Sequence, residues 1–351
     1  MSKLTRRAAL GLIAGGAASP LLAQHHGPGL YAHLRDPSVS APPPGSEAQR
    51  FFLSPAPAAP DPGRWEARAP LPLPRSEMAW GVAHGGRMHI IGGYGEQRVD
   101  RNYHHVYNSR ANRWTSAAAL PFGANHVGVA SLGGGIYAVG GFIEQNRAPH
   151  SRAFFWEAGA DRWRDIAPLS SPRGAISLVA LGGILHAVGG RDVRSLDVHE
   201  AYDPARDRWE RRAPLPGQRD HIGALEVGGK IHAIGGRKDT FDFNTSLHSV
   251  YDPQRDSWEP RAPLPTARSG HGAVWYRGRI FVMGGESTGR VHGQNEAYDP
   301  ASDSWQAFAP MATPRHGLGA VALDDGIYVA GGGPIVGGSI QSALNERFVL
   351  G

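Results

Sequence analysis

The chain has 351 residues, among them 48 Gly, 28 Pro and no Cys, with 41% hydrophobic and 19% charged residues. That apolar share supports a packed core and excludes wholesale disorder, while the missing cysteine excludes disulfides, thiolate metal sites and a cysteine nucleophile. The formal charge is +5, but residues 1–23 hold Lys3, Arg6 and Arg7 and no acid, so the remainder carries +2 and gives no case for a nucleic-acid partner.

At the N-terminus, Thr5-Arg6-Arg7-Ala8-Ala9-Leu10 sets a pair of arginines before a weakly apolar run, Ala8 to Ala18. This resembles a twin-arginine export signal covering residues 1–23 with cleavage after Ala23, a Sec-type signal being the alternative. It predicts an exported, periplasmic or extracellular protein. The run is too short to span a bilayer, and no other segment could, so no membrane span is expected. Residues 24–63 are rich in Pro, Ala, Ser and Gly, as in Pro55-Ala56-Pro57-Ala58-Ala59-Pro60, and read as an extended, disordered linker.

From residue 64 to 351 the chain repeats. A glycine doublet closes an apolar run at Gly92-Gly93, Gly140-Gly141, Gly189-Gly190, Gly235-Gly236, Gly284-Gly285 and Gly331-Gly332. A tryptophan recurs on the same beat, at Trp65, Trp114, Trp163, Trp209, Trp258 and Trp305, and Tyr-Asp-Pro turns stand between, as at Tyr202-Asp203-Pro204. Each unit reads as a four-strand meander. Strand a follows an arginine (268–274), strand b runs into the doublet (279–283), strand c ends at Tyr298 and strand d carries Trp305. One small sheet cannot bury both faces, so successive units must stack.

These doublets and tryptophans resemble the Kelch repeat family, which implies an all-β fold, here a six-bladed β-propeller with four strands per blade. The phase of the repeat predicts how the ring closes. Trp65 precedes the first doublet and no Trp follows the last, so the chain begins with a lone strand d that must complete the last blade beside residues 342–350.

Antiparallel alternation gathers the d–a and b–c loops at one mouth of the central channel. The b–c loops are the longer ones, which makes this mouth the expected binding site. Arg75, Arg173, Arg219, Arg268 and Arg315 open strand a in five of the six units. Guanidinium groups converging on the axis would hold a carboxylate; the alternative is that they brace the blades. His126, His221, His271 and His316 follow closely, and His221, His271 and His316 join the arginines as candidate ligand-binding residues. Because the four histidines stand one to three positions after the arginine phase, they are expected to scatter around the channel, and no metal site is predicted.

No cofactor is expected. A Kelch-like copper radical oxidase needs a Cys–Tyr cross-link, which a chain without Cys cannot form. Gly317-Leu318-Gly319-Ala320-Val321-Ala322 mimics a dinucleotide fingerprint but lies in strand a with no helix after it. The sequence is also similar to the exported N-acetylneuraminate mutarotase (epimerase) family, a resemblance carried by Gly285-Glu286-Ser287-Thr288-Gly289-Arg290. It implies Glu286 and Arg290 as the catalytic pair, Glu286 moving a proton at an anomeric oxygen. Three readings follow. The leading one is a monomeric binding protein whose ligand is an acidic peptide or protein, or a carbohydrate such as a small anionic sugar. The others are a sialic-acid mutarotase and an envelope scaffold.

Overall fold

The structure, a computed structural model, describes residues 56–78 and 80–351. Residues 1–23, expected to form an export signal, and the expected linker as far as residue 55 lie outside the described residues.

Six four-stranded antiparallel sheets correspond to the six repeats. In the third blade strand a is Ser177–Leu181, b is Ile184–Val188, c is His199–Asp203 and d is Arg208–Arg211, and they follow one another across the sheet. Strand b is buried almost throughout because blades cover both of its faces, whereas strand d at the rim is exposed or half-buried along its length. The sixth blade contains Gly319–Leu323, Gly326–Ala330 and Asn345–Val349, and its fourth strand is Arg64–Ala67. Trp65 stands opposite Phe348 and Glu66 opposite Arg347. The N-terminal strand d therefore completes the last blade, as the tryptophan phase predicts.

Two circuits of hydrogen bonds tie the blades together. In the outer one, each repeat tryptophan donates its indole N–H to an alanine carbonyl of the preceding blade. Trp114 reaches Ala69, Trp163 Ala118, Trp209 Ala167, Trp258 Ala213, Trp305 Ala262 and Trp65 Ala309, all at 2.8–2.9 Å. The N–H of the same alanine goes to an aspartate two residues before the tryptophan, as Ala167 to Asp207 and Ala213 to Asp256, or in the first blade to Asn112. At the closing blade Pro62 takes the aspartate's place, its carbonyl accepting the Ala309 N–H at 2.7 Å.

That contact shortens the expected linker. Residues 56–63 lie on the ring: Ala58 forms a parallel bridge with Ala307, and Ala59 is buried. Alternating backbone bonds, Ala307 N–H to Pro57 O and Ala59 N–H to Ala307 O, add a short fifth strand to the rim of the fifth blade. Pro does not prevent this, because an edge strand needs donors on one side only.

The inner circuit runs around the axis. Glu77, His126, Ala175, His221, Gly270 and Gly317 occupy the second position after the arginine site in the six blades, and all have φ between 49° and 65°. Each donates its N–H to the carbonyl of its counterpart in the preceding blade over 2.8–3.3 Å, and Glu77 donates to Gly317 to close the circuit. This left-handed residue interrupts the extended chain, so strand a starts four residues after the arginine site in five blades, as at Ser177 after Arg173, and seven after Arg75 in the first, not beside it as the sequence suggested. Beyond the circuit, strand a residues such as Leu178 and Val274 line a channel cavity of about 470 Å³, with Trp80 and Trp275 among its walls.

Candidate functional site

The five strand-a arginines do not face the channel. Arg75, Arg173, Arg219, Arg268 and Arg315 are all buried, and each guanidinium turns into its own blade. There it donates to the first glycine of that blade's doublet, at Gly92, Gly189, Gly235, Gly284 and Gly331 respectively. Strand c supplies the second partner: Glu200 for Arg173 at 2.6 Å, Glu296 for Arg268, Glu346 for Arg315, Ser249 for Arg219 and His105 for Arg75. Burial lowers Arg75 and Arg219 to about 9. The expectation of arginines converging on the axis is corrected: they satisfy carbonyls that the doublet leaves free, and brace strand b to strand c.

The second blade supports this reading. Ala124 stands where the arginine should be, and Phe154, opposite Ala138 as Glu200 is opposite Ala187, replaces the acid. Leu120 and Phe122 fill the same space. Where the guanidinium is missing, its carboxylate partner is missing too, which avoids an unpaired buried charge.

The polar centre of the molecule is on the axis beside the inner circuit. It forms because the residue after each arginine bridges to the residue after each doublet: Ser76 to Tyr94, Asn125 to Phe142, Gly174 to Arg191, Asp220 to Arg237, Ser269 to Glu286 and His316 to Gly333. Arg237 and Glu286, from neighbouring blades, therefore meet at 2.9 Å between Nη1 and Oε1. Arg237 Nε donates to Asp220 Oδ1 at 3.2 Å, and its Nη2 lies 3.0 Å from His221 Nε2. His221 Nδ1 bonds to Asp220, whose other oxygen accepts from Ser195. His316 Nδ1 lies 3.0 Å from Glu77 Oε1 and 3.3 Å from Glu286 Oε2, while its Nε2 donates to the Ile335 carbonyl at 2.8 Å.

All of these groups are buried, so their charges are set by one another. Burial opposes the His316 cation, but Glu286 and Glu77 outweigh it and raise the imidazole to about 9. Burial would also raise the Glu77 carboxyl, yet the His316 cation beside it holds it well below the usual carboxylate range. His221 is pushed down to about 3 by burial and the Arg237 charge, so it stays neutral.

Three of the sequence-predicted residues, His221, Glu286 and His316, are thus brought together, and Glu77, Asp220 and Arg237 join them. His271 is not part of this centre: it packs into the channel wall against Gly223 and Gly235. Arg290 does not join Glu286 either. The two stand on a short hairpin in which Ser287 pairs with Arg290 and Glu286 with Val291, so strand alternation turns Arg290 to the face opposite Glu286. The structure does not bring Glu286 and Arg290 together as a pair; Glu286 is instead joined to Arg237 in an ion pair between blades. The histidine scatter is corrected as well. His126 and His221 share one repeat position and their rings lie 4.7 Å apart. The signal for this was the phase itself, since both stand two residues past the arginine site.

Around this centre, the b–c and d–a loops carry the exposed apolar surface. Among the described residues nine large apolar side chains are exposed, and eight of them lie on these loops, Trp275 at the other end of the channel being the exception. Leu73 and Ile340 also line a cleft of about 450 Å³ between the sixth and first blades, with Arg101, Tyr103 and Glu96.

The sheets define a six-bladed β-propeller. A Kelch-motif family model matches residues 172–216 and 267–312, which are the third and fifth blades. The chain belongs to the Kelch repeat family, whose propeller suits a general role as a protein-binding scaffold. No curated protein sequence matches it. No helix of the described residues is long and apolar enough to cross a membrane.

Proposed function

We propose that the protein is an exported propeller that binds a segment of another protein across its d–a/b–c loop face. One observation carries this reading: eight of the nine exposed large apolar side chains lie on that face, with Val193 82% exposed and Ile340 50% exposed. Apolar anchors beside arginines are the usual composition of an interface centre, and Arg101 in the cleft and exposed Arg194 supply that company. The occupant is a segment presenting apolar and acidic side chains. A sugar-anomer activity is less well supported, because Glu286 is engaged by Arg237 and buried. The export reading rests on Arg6-Arg7 and the short apolar run after them.

The test is selection from a displayed peptide library on the full chain, with N-acetylneuraminate and neutral sugars run in parallel by thermal shift. Selected peptides should lose binding to the Ile340→Asp, Val193→Asp double variant and keep it for Trp275→Asp. Peptides that bind all three proteins equally, or a melting shift produced only by the sugars, would contradict the reading.

A further inference from the structure

The axial centre contains two imidazoles whose surroundings prepare them for a metal. Asn125 Nδ2 donates to Asp100 Oδ1 at 2.7 Å and to the Phe142 carbonyl at 3.1 Å. This fixes the side-chain amide, so Asn125 Oδ1 faces His126 as an acceptor and the hydrogen of His126 is on Nδ1. His126 Nε2 is left pointing at Glu77 Oε2, 3.1 Å away. The fourth blade repeats the arrangement, with Asp220 accepting from His221 Nδ1 and leaving Nε2 aimed inward. An imidazole whose outer nitrogen is held by a carboxylate or amide oxygen is the arrangement that orients metal-ligating histidines.

Glu77 supplies the third group. Its Oε2 is buried without a hydrogen bond of good geometry, while Oε1 faces His316. One oxygen of Glu77 and one nitrogen each of His126 and His221 lie within 4.8 Å of one another, and all three residues are buried. Two imidazoles and a carboxylate suit a divalent first-row cation and leave positions open for water. The three carboxylates nearby, Glu77, Asp220 and Glu286, outnumber the two cations, Arg237 and His316, and favour added positive charge.

We propose that Glu77, His126 and His221 form a divalent metal site of the zinc class on the propeller axis. Binding displaces Arg237 Nη2 from His221 Nε2, and Arg237 keeps Glu286 and Asp220. The site pins the first, second and fourth blades together at the inner circuit.

The experiment titrates the EDTA-treated full chain with Zn²⁺ by calorimetry and with Co²⁺ by visible absorption. Because His25-His26 could bind metal on their own, a His25→Ala, His26→Ala variant is titrated beside it. The proposal predicts one equivalent of zinc retained in that variant, cobalt bands of four-coordinate intensity, and a melting temperature that rises with zinc. It also predicts at least a hundredfold weaker binding in His126→Gln. Asn125→Ala leaves the ligands in place and should weaken binding about 10–100-fold. The cobalt spectrum needs no variant, so a folding defect in His126→Gln leaves the test intact. Binding that disappears with His25 and His26, only weak six-coordinate cobalt bands, or no zinc effect on melting would each overturn the site.

Discussion

The amide of Glu77 donates to the carbonyl of Gly317 at 2.9 Å, and this bond joins the first blade to the last on the axis. It is one of six equivalent bonds, each made possible by a left-handed residue that aims its N–H at one neighbouring blade and its carbonyl at the other. Of the six residues only Gly270 and Gly317 adopt that conformation freely.

Ala175, at φ 52°, is therefore strained without an evident side-chain reason. Ala175→Gly should stabilise the protein by about 1 kcal/mol, and Ala175→Val should destabilise it by more than that, since a β-branched residue tolerates positive φ poorly. Urea unfolding of the two variants checks this. If both shift the midpoint the same way, the backbone conformation is not what limits stability there.

The closing strand should count as much as any internal one. Trp65→Ala and Trp209→Ala each remove a large ring and an indole bond to an alanine carbonyl, and each should cost about 3–5 kcal/mol. Calorimetry should also show a single transition in both. A Trp65→Ala protein that melts like wild type would mean that the ring does not depend on its N-terminal strand.

The three arginines that meet a strand-c glutamate, Arg173, Arg268 and Arg315, should behave as buried ion pairs. Arg268→Ala leaves Glu296 and the Gly284 carbonyl unpaired, and should cost about 3–5 kcal/mol. Arg268→Met combined with Glu296→Leu should recover most of that loss, as Ala124 and Phe154 manage in the second blade. A double variant no more stable than Arg268→Ala alone would contradict the bracing role.

Acid should weaken the protein through histidines that the axial centre does not include. His89 with His104, His186 with His199 and His232 with His248 form buried pairs between strands b and c, at 2.8–2.9 Å. Burial lowers all six from 6.5 to about 3 or 4. They are neutral when folded and take up protons on unfolding, so their stabilisation is complete above pH 6.5 and is lost as pH falls toward about 4. Asp161, Asp207 and Asp303, held below 3.8 first by the alanine N–H each accepts, add their loss only below that range. The melting temperature should drop between pH 6.5 and 4. A flat profile there would show that these pairs are not buried as described.

The architecture was legible because doublet and tryptophan recur in phase, and the absence of a tryptophan after Gly331-Gly332 revealed the closure. The site was less legible. A repeated arginine has the same spacing whether its guanidinium reaches the axis or the next strand, and the decision lies in strand c, where Glu200, Glu296 and Glu346 stand in register. Arg237 and Glu286 meet because each follows a doublet in adjacent blades, a relation that neither loop reveals alone. Glu286 and Arg290 looked paired by spacing, until strand alternation turned them apart. The docking of residues 57–62 was hidden because backbone bonds hold it, and Pro-Ala sequence gives no sign of them.

The measurement that tests the closed ring most directly is native-state hydrogen exchange at the six axial amides, those of Glu77, His126, Ala175, His221, Gly270 and Gly317. If the blades form one cooperative circuit, all six exchange through the same global opening and report one free energy. A Glu77 amide that exchanges well before that of Ala175 would show that the seam between the last and first blades opens on its own, and the closure described here would be wrong.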